Sequence, residues 1–502
     1  MADPGSSLPE GWEHGAFMEI FVRAYQDSDG DGVGDLRGLT HRLDYLKDLG
    51  VKGIWLMPIT ASADRDHGYH TTDFRAIEPQ YGTLADLDEL LREAHARGIG
   101  VIADYVLNHS AREHPLFERS ASSPADRFRS WYVWRDEAPK GWDIWGKDPW
   151  TPTANGAFFA TFGPHAPDFN LTNPDVVEYH RSSLRFWLNR GLDGFRLDAV
   201  PHLIERDAKE WNDQPESRKL AGEFVALIRG YERRHVVCEA TANPKAYGAP
   251  EICGASFAFG LESQIVKAAR GDRDAVRAVA EYFTSAPSGM ATFISNHDRF
   301  AGGRLWDQVK GNLAQYKLAA ATYLLLPGTP FIYFGEEVGM AGALGVADDG
   351  PLRSPMSWTA DAKTAGFTSG TPFRPIAPNV AKYNAGTEAK RADSLLAFYK
   401  AMLRLRNDLP SIARGRYEDP FADGLVMGYR RVLGEEATLV LINYGSRAAT
   451  HSVEGLAPRA RLASAYPANG AAVRADAKGV ARVSLAPQSV RVLRIAGQAR
   501  GR

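Results

Sequence analysis

Short apolar runs alternate with amphipathic helical patterns through most of the chain. The helical patterns place apolar residues three or four positions apart, as at residues 36–49 and 84–94, so that each helix has one apolar face. Strands and helices that alternate in this way indicate a parallel sheet covered by helices. The apolar runs predict eight strands, at residues 17–22, 53–58, 100–104, 194–198, 235–239, 256–259, 292–295 and 330–334. Eight strand–helix units predict an α/β fold, a (β/α)8 TIM barrel.

Residues that favour helix ends stand at the predicted helix boundaries. Gly50, Gly98 and Gly191 each follow a helical pattern and precede an apolar strand, where a glycine can adopt the left-handed conformation that ends a helix. Asn173 and Pro174 stand before the fourth strand, as a capping residue and a proline at the first helical position. These positions support the predicted order of strands and helices.

Two segments depart from this alternation. Residues 110–167 are rich in Trp, Pro, Gly and Asp and are too long for an ordinary loop between a strand and a helix, which predicts a small inserted domain on the functional face. Residues 411–502 contain short alternating runs separated by Gly and Asn turns, which predict a C-terminal antiparallel β-sandwich. The barrel is then built from residues 1–109 and 168–410.

The charge balance bears on the class of partner. Lysine and arginine number 59 and aspartate and glutamate 61, so no broad electrostatic field is available to attract nucleic acid or an anionic membrane. No apolar run approaches membrane-spanning length. A neutral substrate is favoured. The 11 Trp, 19 Tyr and 23 Phe residues suit stacking on sugar rings, although core packing accounts for most of them.

The cysteines and the start of the chain say little about the compartment. Cys238 and Cys253 are too few for a disulfide framework or a metal–thiolate cluster. Residues 1–7 lack the basic and apolar regions of a signal peptide. We expect a soluble monomer, either cytoplasmic or, where a signal peptide has been removed, periplasmic or secreted.

Polar side chains end four of the predicted strands. Taken singly, each is a candidate for an ordinary helix cap or salt bridge. In a TIM barrel, however, the carboxyl ends of all strands meet at one mouth, where catalytic groups lie. The residues concerned are Asp104, Asn108 and His109 after the third strand, Arg196 and Asp198 in the fourth, Glu239 after the fifth, and Asn296, His297 and Asp298 after the seventh.

The chemistry of glycosidic bond cleavage requires two of these carboxyl groups. One carboxylate attacks or shields the anomeric carbon and one carboxylic acid protonates the leaving oxygen. Asp198 and Glu239 lie on neighbouring predicted strands and can supply this pair at the separation of about 5 to 5.5 Å that a retaining mechanism needs. Arg196 shares the inward face of its strand with Asp198 and would keep that carboxylate ionised. The apolar approach to Glu239 would raise its pKa toward that of a general acid.

The four runs resemble the four conserved regions of the α-amylase family of glycoside hydrolases, in the same order and at comparable separations. The resemblance implies that Asp198 is the nucleophile, Glu239 the acid/base and Asp298 a supporting carboxylate that grips and distorts the reacting sugar. It also implies a stacking residue and three glucose contacts, namely Tyr69 and then His109, Arg196 and His297. A structural histidine is the alternative for His109 and His297. The family's chemistry needs no organic cofactor.

An acidic loop follows the first predicted strand. Its carboxylates stand at alternate positions with a glycine for a sharp turn, as a Ca²⁺ loop requires. It resembles the calcium loop of family members that act on oligosaccharides, so we expect a structural calcium ion held by Asp27, Asp29, Asp31, Val33 and Asp35. An Asp/Gly turn without an ion is the alternative. Asn108 and Asp168 are candidates for a second ion.

The resemblance does not single out one activity within the family. Several runs are most similar to intermediate α-amylases, whereas residues 167–170 resemble a region shared with oligo-α-glucosidases and trehalose synthases. Asp66 and Arg353 resemble an ion pair that closes the pocket of exo-acting α-glucosidases, with a surface salt bridge as the alternative. We therefore expect a retaining hydrolase of α-1,4-linked glucans and malto-oligosaccharides with some transglycosylation. An exo-acting α-glucosidase is the second hypothesis, and a trehalose synthase or other transglucosylase the third.

Overall fold

The computed structural model describes residues 3–496, so Met1, Ala2 and the last six residues of the predicted C-terminal domain lie outside the description. The strands of the first two thirds of the chain are β1 Phe17–Ile20, β2 Gly53–Leu56, β3 Thr60–Ser62, β4 Thr71–Ile77, β5 Gly100–Val106, β6 Trp134–Arg135, β7 Trp150–Thr153, β8 Gly156–Phe159, β9 Gly194–Asp198, β10 His235–Cys238 and β11 Phe331–Tyr333. The C-terminal strands are β12 Arg416–Asp423, β13 Val426–Leu433, β14 Glu436–Asn443, β15 Ala449–Val453, β16 Arg461–Tyr466, β17 Val473–Arg474, β18 Ala481–Leu485 and β19 Ser489–Ile495.

The α-helices are α1 Val22–Tyr25, α2 Leu36–His41, α3 Leu43–Leu49, α4 Leu84–Ala96, α5 Pro115–Ser122, α6 Pro174–Leu188, α7 Pro215–Arg229, α8 Pro244–Tyr247, α9 Leu261–Ala269, α10 Arg273–Ser285, α11 Leu305–Gln308, α12 Leu313–Leu325, α13 Ala385–Glu388, α14 Leu395–Asp408 and α15 Pro410–Arg414. Short 3₁₀ helices lie at Trp12–His14, Pro79–Tyr81, Arg129–Trp131, Val200–His202, Arg299–Ala301 and Glu336–Val338.

A parallel sheet with the strand order β10-β9-β5-β2-β1-β11 forms most of the barrel wall. Isolated parallel bridges continue the wall from β10 back to β11, through Cys238–Ser256, Phe257–Ala291 and Thr292–Pro330. The TIM barrel is thereby confirmed. The two runs at 256–259 and 292–295 were expected to be full strands, but they pair with their neighbours only through these isolated bridges. The chain turns directly after each bridge, where Leu261 donates its N–H to the Ala258 carbonyl and Asp298 donates its N–H to the Asn296 side chain.

The predicted helix ends are confirmed at the residue level. Gly50, Gly98 and Gly191 all have positive φ, between 71° and 105°, so each occupies the region that favours glycine. Asn173 caps α6 by accepting the N–H of Asp175 at 2.9 Å, with Pro174 at the first helical position. These caps fix where each helix returns the chain to the barrel wall.

The segment between β5 and α6 carries a small sheet of its own. It is antiparallel, with the order β6-β8-β7, and α5 belongs to the same segment. Val133, Ile144, Trp150 and Phe159 form its apolar core. The Phe169 N–H donates to the Asn108 carbonyl at 2.9 Å, which ties the end of this segment to the carboxyl end of β5. The segment is therefore anchored beside the mouth of the barrel, while its limits at residues 110 and 167 stay a prediction.

The C-terminal strands confirm the predicted antiparallel domain. Six strands form one sheet in the order β12-β13-β14-β19-β16-β17, and β15 and β18 form a second sheet. One face of the larger sheet packs against the second sheet around a separate apolar core. Residues of its other face belong to the main core of the molecule together with residues of the barrel, among them Met427, Tyr429, Val440, Ile442 and Val492.

Two further findings concern the cysteines and the length of the helices. Cys238 and Cys253 form a disulfide bond and both are fully buried, so the two cysteines that are too few for a framework still make one bridge. Among the helices described between residues 3 and 496, none combines the length and the apolar character needed to span a bilayer.

Candidate active site

The predicted carboxyl groups meet at the carboxyl end of the barrel. Asp104 lies in β5, Asp198 ends β9 and Glu239 directly follows β10, while Asp298 follows the bridge at Thr292. Asp198, Glu239 and Asp298 line one cavity of about 680 Å³. That volume lies within the range of roughly 300 to 1,000 Å³ that is usual for small-molecule sites. The cavity is further lined by His67, Tyr69, His70, His109, Trp145, Phe162, His165, Ala199, His202, Thr241, Phe300, Asp349 and Arg353.

A single buried guanidinium connects three of the carboxylates. Arg196 Nη1 lies 2.8 Å from Asp104 Oδ1 and also contacts Asp198 Oδ1. Its Nη2 lies 2.9 Å from Glu239 Oε2, which also accepts the N–H of Ala199 at 3.0 Å. One guanidinium therefore holds both carboxyl groups of the predicted catalytic pair at fixed positions, and its planar fork suits this geometry.

Burial shifts the pKa values of this pair upward. Burial raises the pKa of Glu239 to about 7, against the opposing charge of Arg196 and with a further increase from the Asp198 carboxylate. Burial also raises the pKa of Asp198 to about 6, although Arg196 opposes this shift. Near neutral pH, Asp198 is therefore mostly a carboxylate and Glu239 retains a substantial protonated fraction, which are the states that a nucleophile and a general acid require. The direction of the shift for Glu239 is the one expected from the sequence.

Asp298 faces the same cavity from a different environment. Its Oδ1 accepts a hydrogen bond from Arg353 Nη2 at 3.0 Å, and Arg353 Nη2 also lies 3.1 Å from Asp349 Oδ2. Its Oδ2 lies 3.2 Å from Nε2 of His297. Burial raises the pKa of Asp298 to about 7, while Arg353 lowers it. This carboxyl group is held on both oxygens and projects into the space beside Asp198 and Glu239.

An aromatic and imidazole wall completes that side of the cavity. The rings of Tyr69 and His297 stack with centroids 5.4 Å apart, and Tyr69 Oη donates to Asp104 Oδ2 at 2.8 Å. His297 Nδ1 contacts Oε1 of Glu19, a fully buried residue of β1. Burial raises the pKa of Glu19 well above its ordinary value, and burial lowers the pKa of His297. His297 Nε2 lies 2.8 Å from Tyr69 Oη, and because that hydroxyl donates its own proton to Asp104, it can accept a hydrogen bond from Nε2. The imidazole is thereby held at both ring nitrogens, by Glu19 and by Tyr69.

Four histidines also line the cavity. His109 lines the cavity with its ring 5.1 Å from that of Phe162, and burial lowers its pKa to about 3. Burial also lowers the pKa of His67, and it lowers that of His70 to about 4. His165 packs against His70 with ring centroids 4.4 Å apart. The first three imidazoles are thus neutral near pH 7.

The expected pair of Asp66 and Arg353 does not form. Asp66 Oδ1 instead lies 2.7 Å from Arg374 Nη2, while Arg353 is engaged by Asp298 and Asp349. The physical reason is that the carboxylates of Asp298 and Asp349 hold Arg353, which leaves Asp66 to pair with Arg374. Arg374 Nη1 also donates to the Arg353 carbonyl at 3.2 Å, so the Asp66 bridge still connects two walls of the cavity.

The acidic loop after β1 brings three of its predicted metal ligands together. Carboxylate oxygens of Asp27, Asp29 and Asp35 lie within 4.8 Å of one another. Asp31 stays outside this group, and its Oδ1 accepts the N–H of Val33 at 2.7 Å. An oxygen-only cluster of this kind has the donor chemistry that calcium prefers.

The structure supports the second candidate ion, between Asn108 and Asp168, less well than the calcium ion of the acidic loop. Both carboxylate oxygens of Asp168 accept hydrogen bonds from Thr161, from its N–H at 3.0 Å and from its hydroxyl at 2.6 Å. Asp168 is fully buried, and burial raises its pKa to about 7. Among the described residues, no group of three carboxylate or imidazole ligands includes Asp168, in contrast to the acidic loop.

Several residues of the site are absent from the sequence-based prediction. Trp145 and Phe300 stand at the cavity wall with 61% and 64% of their surface exposed, which is unusual for large aromatic residues. Glu19 interrupts an apolar strand, and that pattern is a signal that a sequence argument can use. Asp349 and Arg374 lie in an irregular segment whose sequence carries no such signal.

Comparison with known proteins agrees with this geometry. The sequence matches the family described as "Alpha amylase, catalytic domain" over residues 19–415. It is 34% identical over 452 residues to "Alpha-amylase 3" of Dictyoglomus thermophilum, covering 86% of this chain and 85% of that protein. It is 33% identical over 495 residues to "Trehalose synthase/amylase TreS" of Mycobacterium tuberculosis, covering 86% and 81%. The crystal structure of an α-amylase from H. orenii matches with a TM-score of 0.84 at 29% identity, covering 96% and 99%. The chain therefore belongs to the α-amylase family of glycoside hydrolases and transglucosylases.

Proposed function

We propose that this protein is a retaining hydrolase of α-1,4-glucosidic bonds in starch-type glucans and malto-oligosaccharides. The observation that carries the proposal is the contact of one buried guanidinium, that of Arg196, with the carboxyl groups of both Asp198 and Glu239. Both carboxyl groups line one cavity with Asp298, which supports their use as a catalytic pair. A paired nucleophile and acid is what a double displacement at an anomeric carbon requires.

In the first step, a carboxylate oxygen of Asp198 bonds to the anomeric carbon while the bond to the leaving oxygen breaks. Glu239 gives its proton to that oxygen, so the shortened glucan leaves as a neutral alcohol. In the second step, the Glu239 carboxylate takes a proton from water, whose oxygen attacks the same carbon. Asp198 is released as a carboxylate, and Glu239 is protonated again.

The surrounding residues hold the sugar in position for these steps. Asp298 is fixed by Arg353 and His297 and is placed to accept hydrogen bonds from sugar hydroxyl groups. The Tyr69 ring stacks on His297 and offers a flat surface to a pyranose ring. His109 and Arg196 supply further polar contacts in this proposal.

Transfer to a sugar acceptor competes with hydrolysis in this mechanism. The covalent glucosyl-enzyme is common to both reactions, so they differ only in which acceptor reaches it. The similarity to a trehalose synthase/amylase supports some transglycosylation and keeps a transglucosylase as the third candidate. The similarity to an α-amylase over a comparable part of the chain supports hydrolysis as the first.

An exo-acting α-glucosidase is the second candidate function. The salt bridge between Asp66 and Arg374 favours it, because that bridge joins the loop of His67 and Tyr69 to the segment of Arg353. A bridge across two walls of a cavity limits how far a long glucan extends past the reacting sugar. This candidate uses the same Asp198 and Glu239 chemistry and differs in substrate length.

We further infer that the acidic loop holds a structural calcium ion through Asp27, Asp29 and Asp35. Asp27 and Asp35 are buried and already organised by backbone N–H groups, including those of Gly32 and Gly38 at 2.8 Å. Bound calcium would balance three clustered negative charges there and would take no part in the reaction.

The test is a product time course on maltoheptaose, maltose and p-nitrophenyl α-glucoside. Mid-sized products at the earliest times support the endo-acting hydrolase, whereas immediate glucose supports the exo-acting one and trehalose from maltose supports the transglucosylase. Proton NMR of the first product should show the α-anomer, since two displacements retain configuration. Asp198→Asn should lose activity on the order of 10⁴-fold, as loss of a catalytic carboxylate does in other hydrolases.

The matched control is Asp408→Asn, which alters an exposed carboxylate at the end of α14 and should leave all rates unchanged. A first product of β configuration, or an Asp198→Asn variant as fast as the unmodified protein, would show that the proposed mechanism is wrong.

A further inference from the structure

Two imidazoles and a carboxylate converge at the rim of the cavity, apart from Asp198 and Glu239. Oδ2 of Asp64 lies 3.3 Å from Nδ1 of His67 and 3.2 Å from Nδ1 of His70. Ligand atoms from all three residues lie within 4.8 Å of one another. Each side chain remains partly accessible, with 12% of Asp64, 25% of His67 and 18% of His70 exposed. The proposed reaction uses none of these three groups.

These distances fit a metal site. Zinc binds imidazole nitrogen and carboxylate oxygen at about 2.0 to 2.2 Å, usually with tetrahedral geometry, so neighbouring ligand atoms lie about 3.3 Å apart. Both distances from Asp64 Oδ2 match this spacing between neighbouring ligand atoms. Two histidines and one carboxylate also form the protein ligand set of open zinc sites, in which a fourth position stays free. Calcium and magnesium prefer oxygen ligands only, so the two imidazoles favour a transition metal.

The loop holds the carboxylate in place before any ion arrives. Asp64 Oδ1 accepts the N–H groups of Asp66 at 2.9 Å and Gly68 at 3.1 Å, and Oδ2 accepts that of His70 at 3.1 Å. Gly68 has a φ of 89°, and a Cβ there would lie 2.7 Å from the Pro58 carbonyl oxygen, so the turn requires glycine. A fixed carboxylate loses little conformational entropy on binding a cation.

One existing hydrogen bond opposes metal binding at His67. The N–H of Tyr69 donates to His67 Nδ1 at 3.2 Å, and a metal on that nitrogen would replace this hydrogen bond. The bond is at the long end of the normal range and therefore among the weaker ones. Both imidazoles are neutral near pH 7, so each ring nitrogen that carries no proton can bind a metal directly.

We propose that Asp64, His67 and His70 form a binding site for a first-row divalent transition metal, with zinc as the probe, and that its occupancy inhibits the enzyme. Inhibition follows from location, because His67 and His70 line the same cavity as Asp198, Glu239 and Asp298. An ion and its bound water there would occupy space that the sugar needs beside Tyr69. The inhibition rests on the proposed hydrolase function, whereas the metal site itself does not.

The first test measures binding without any substrate. The chain is stripped with a chelator and then supplied with calcium, so that the acidic loop does not compete for zinc. Isothermal titration with zinc chloride should show one ion per chain, and cobalt(II) should give the visible absorption of a tetrahedral site. Asp64→Asn and His70→Ala should each weaken zinc binding at least about tenfold, since even changes in residues that only support metal ligands cost 10- to 100-fold.

The matched control is His41→Ala, which removes an exposed histidine at the end of α2 and should bind zinc as the unmodified chain does. Far-UV circular dichroism would show whether each variant is folded. Absence of a one-to-one zinc signal in the unmodified chain, or equal binding by Asp64→Asn and His70→Ala, would overturn the proposal.

The second test measures inhibition. Zinc should halve the rate of maltoheptaose hydrolysis at the concentration that half-saturates the site in the titration. His70→Ala should need at least about tenfold more zinc for the same loss of rate. Zinc that binds without slowing hydrolysis would overturn the inhibitory part alone. A chain that binds zinc but hydrolyses no glucan would instead overturn the proposed function, and the two failures are thereby distinguishable.

Discussion

At the residue scale, the pKa values of Asp198 and Glu239 predict how activity depends on pH. The reactive state has Asp198 ionised and Glu239 protonated. Burial raises the pKa of Asp198 to about 6 and that of Glu239 to about 7. Ionised Asp198 is lost as pH falls through the lower value, and protonated Glu239 is lost as pH rises through the upper one. The kcat/KM for maltoheptaose should therefore be bell-shaped with its maximum between about pH 6 and 7.

A variant separates the two limbs of this profile. Glu239→Gln removes the general acid, which should slow cleavage of maltoheptaose about 10²- to 10⁴-fold. A fluorinated glucosyl donor needs no protonation of its leaving group, so Glu239→Gln should slow the attack of Asp198 on this donor far less. The rate of that step should still fall at low pH, where Asp198 becomes protonated. An alkaline limb that persists for this donor in Glu239→Gln would show that Glu239 is not the acid.

At the element scale, the bridge between Asp66 and Arg374 predicts substrate length. Arg374→Ala removes the link between the loop after β3 and the segment that follows Arg353. If this bridge closes the cavity, kcat/KM on maltose should fall up to about tenfold, the effect of about 1.4 kcal/mol, with little change on maltoheptaose. Initial rates on both substrates give the ratio of kcat/KM on maltose to kcat/KM on maltoheptaose. Arg391→Ala breaks an exposed bridge to Asp393 and serves as the control. An unchanged ratio would show that the bridge does not select length.

The acidic loop between β1 and α2 gives a second prediction at this scale. Calcium at a hundredfold excess over its Kd should stabilise the chain by about 2.7 kcal/mol, so a chelator should lower the Tm of a cooperative chain of this length by about 2 to 3 °C. Asp29→Asn should abolish this calcium dependence. Asp29 is the exposed member of the cluster, so its loss disturbs the protein least in other respects. Asp31→Asn is the matched control and should keep the dependence, because Asp31 lies outside the cluster. Differential scanning fluorimetry measures both.

The sequence predicts elements whose pattern is local and misses pairings that depend on the complete fold. Helix ends at Gly50 and Asn173 agree with the structure because capping depends on adjacent residues. The convergence of Asp198 and Glu239 follows from the parallel barrel, whose geometry is general. The partner of Asp66 is not predictable in this way, since Arg374 lies in an irregular segment and the expected partner, Arg353, is bound by Asp298 and Asp349.

At the scale of the whole molecule, the barrel and the C-terminal strands share one apolar core. Tyr429, Val440, Ile442 and Val492 are fully buried in the core cluster that includes the barrel helices. Polar contacts cross the same boundary, as where Tyr444 Oη lies 2.7 Å from Thr322 Oγ1. Separate domains with a small polar interface unfold independently, whereas a shared apolar core couples them. We therefore expect the two parts to unfold as one cooperative unit.

Two probes can test this coupling because the tryptophans are unevenly distributed. All 11 lie at or before Trp358, so tryptophan fluorescence reports the barrel and the inserted segment. Hydrogen exchange of peptides from β13, β14 and β19 reports the C-terminal sheet. The two urea transitions should coincide. Ile442→Ala should destabilise the shared core by about 2 to 5 kcal/mol and move both midpoints equally. Leu485→Ala, in the separate core of the C-terminal sheets, should also move both. A midpoint that shifts for the C-terminal peptides while the fluorescence transition stays in place would show that the barrel is stable without its C-terminal sheet.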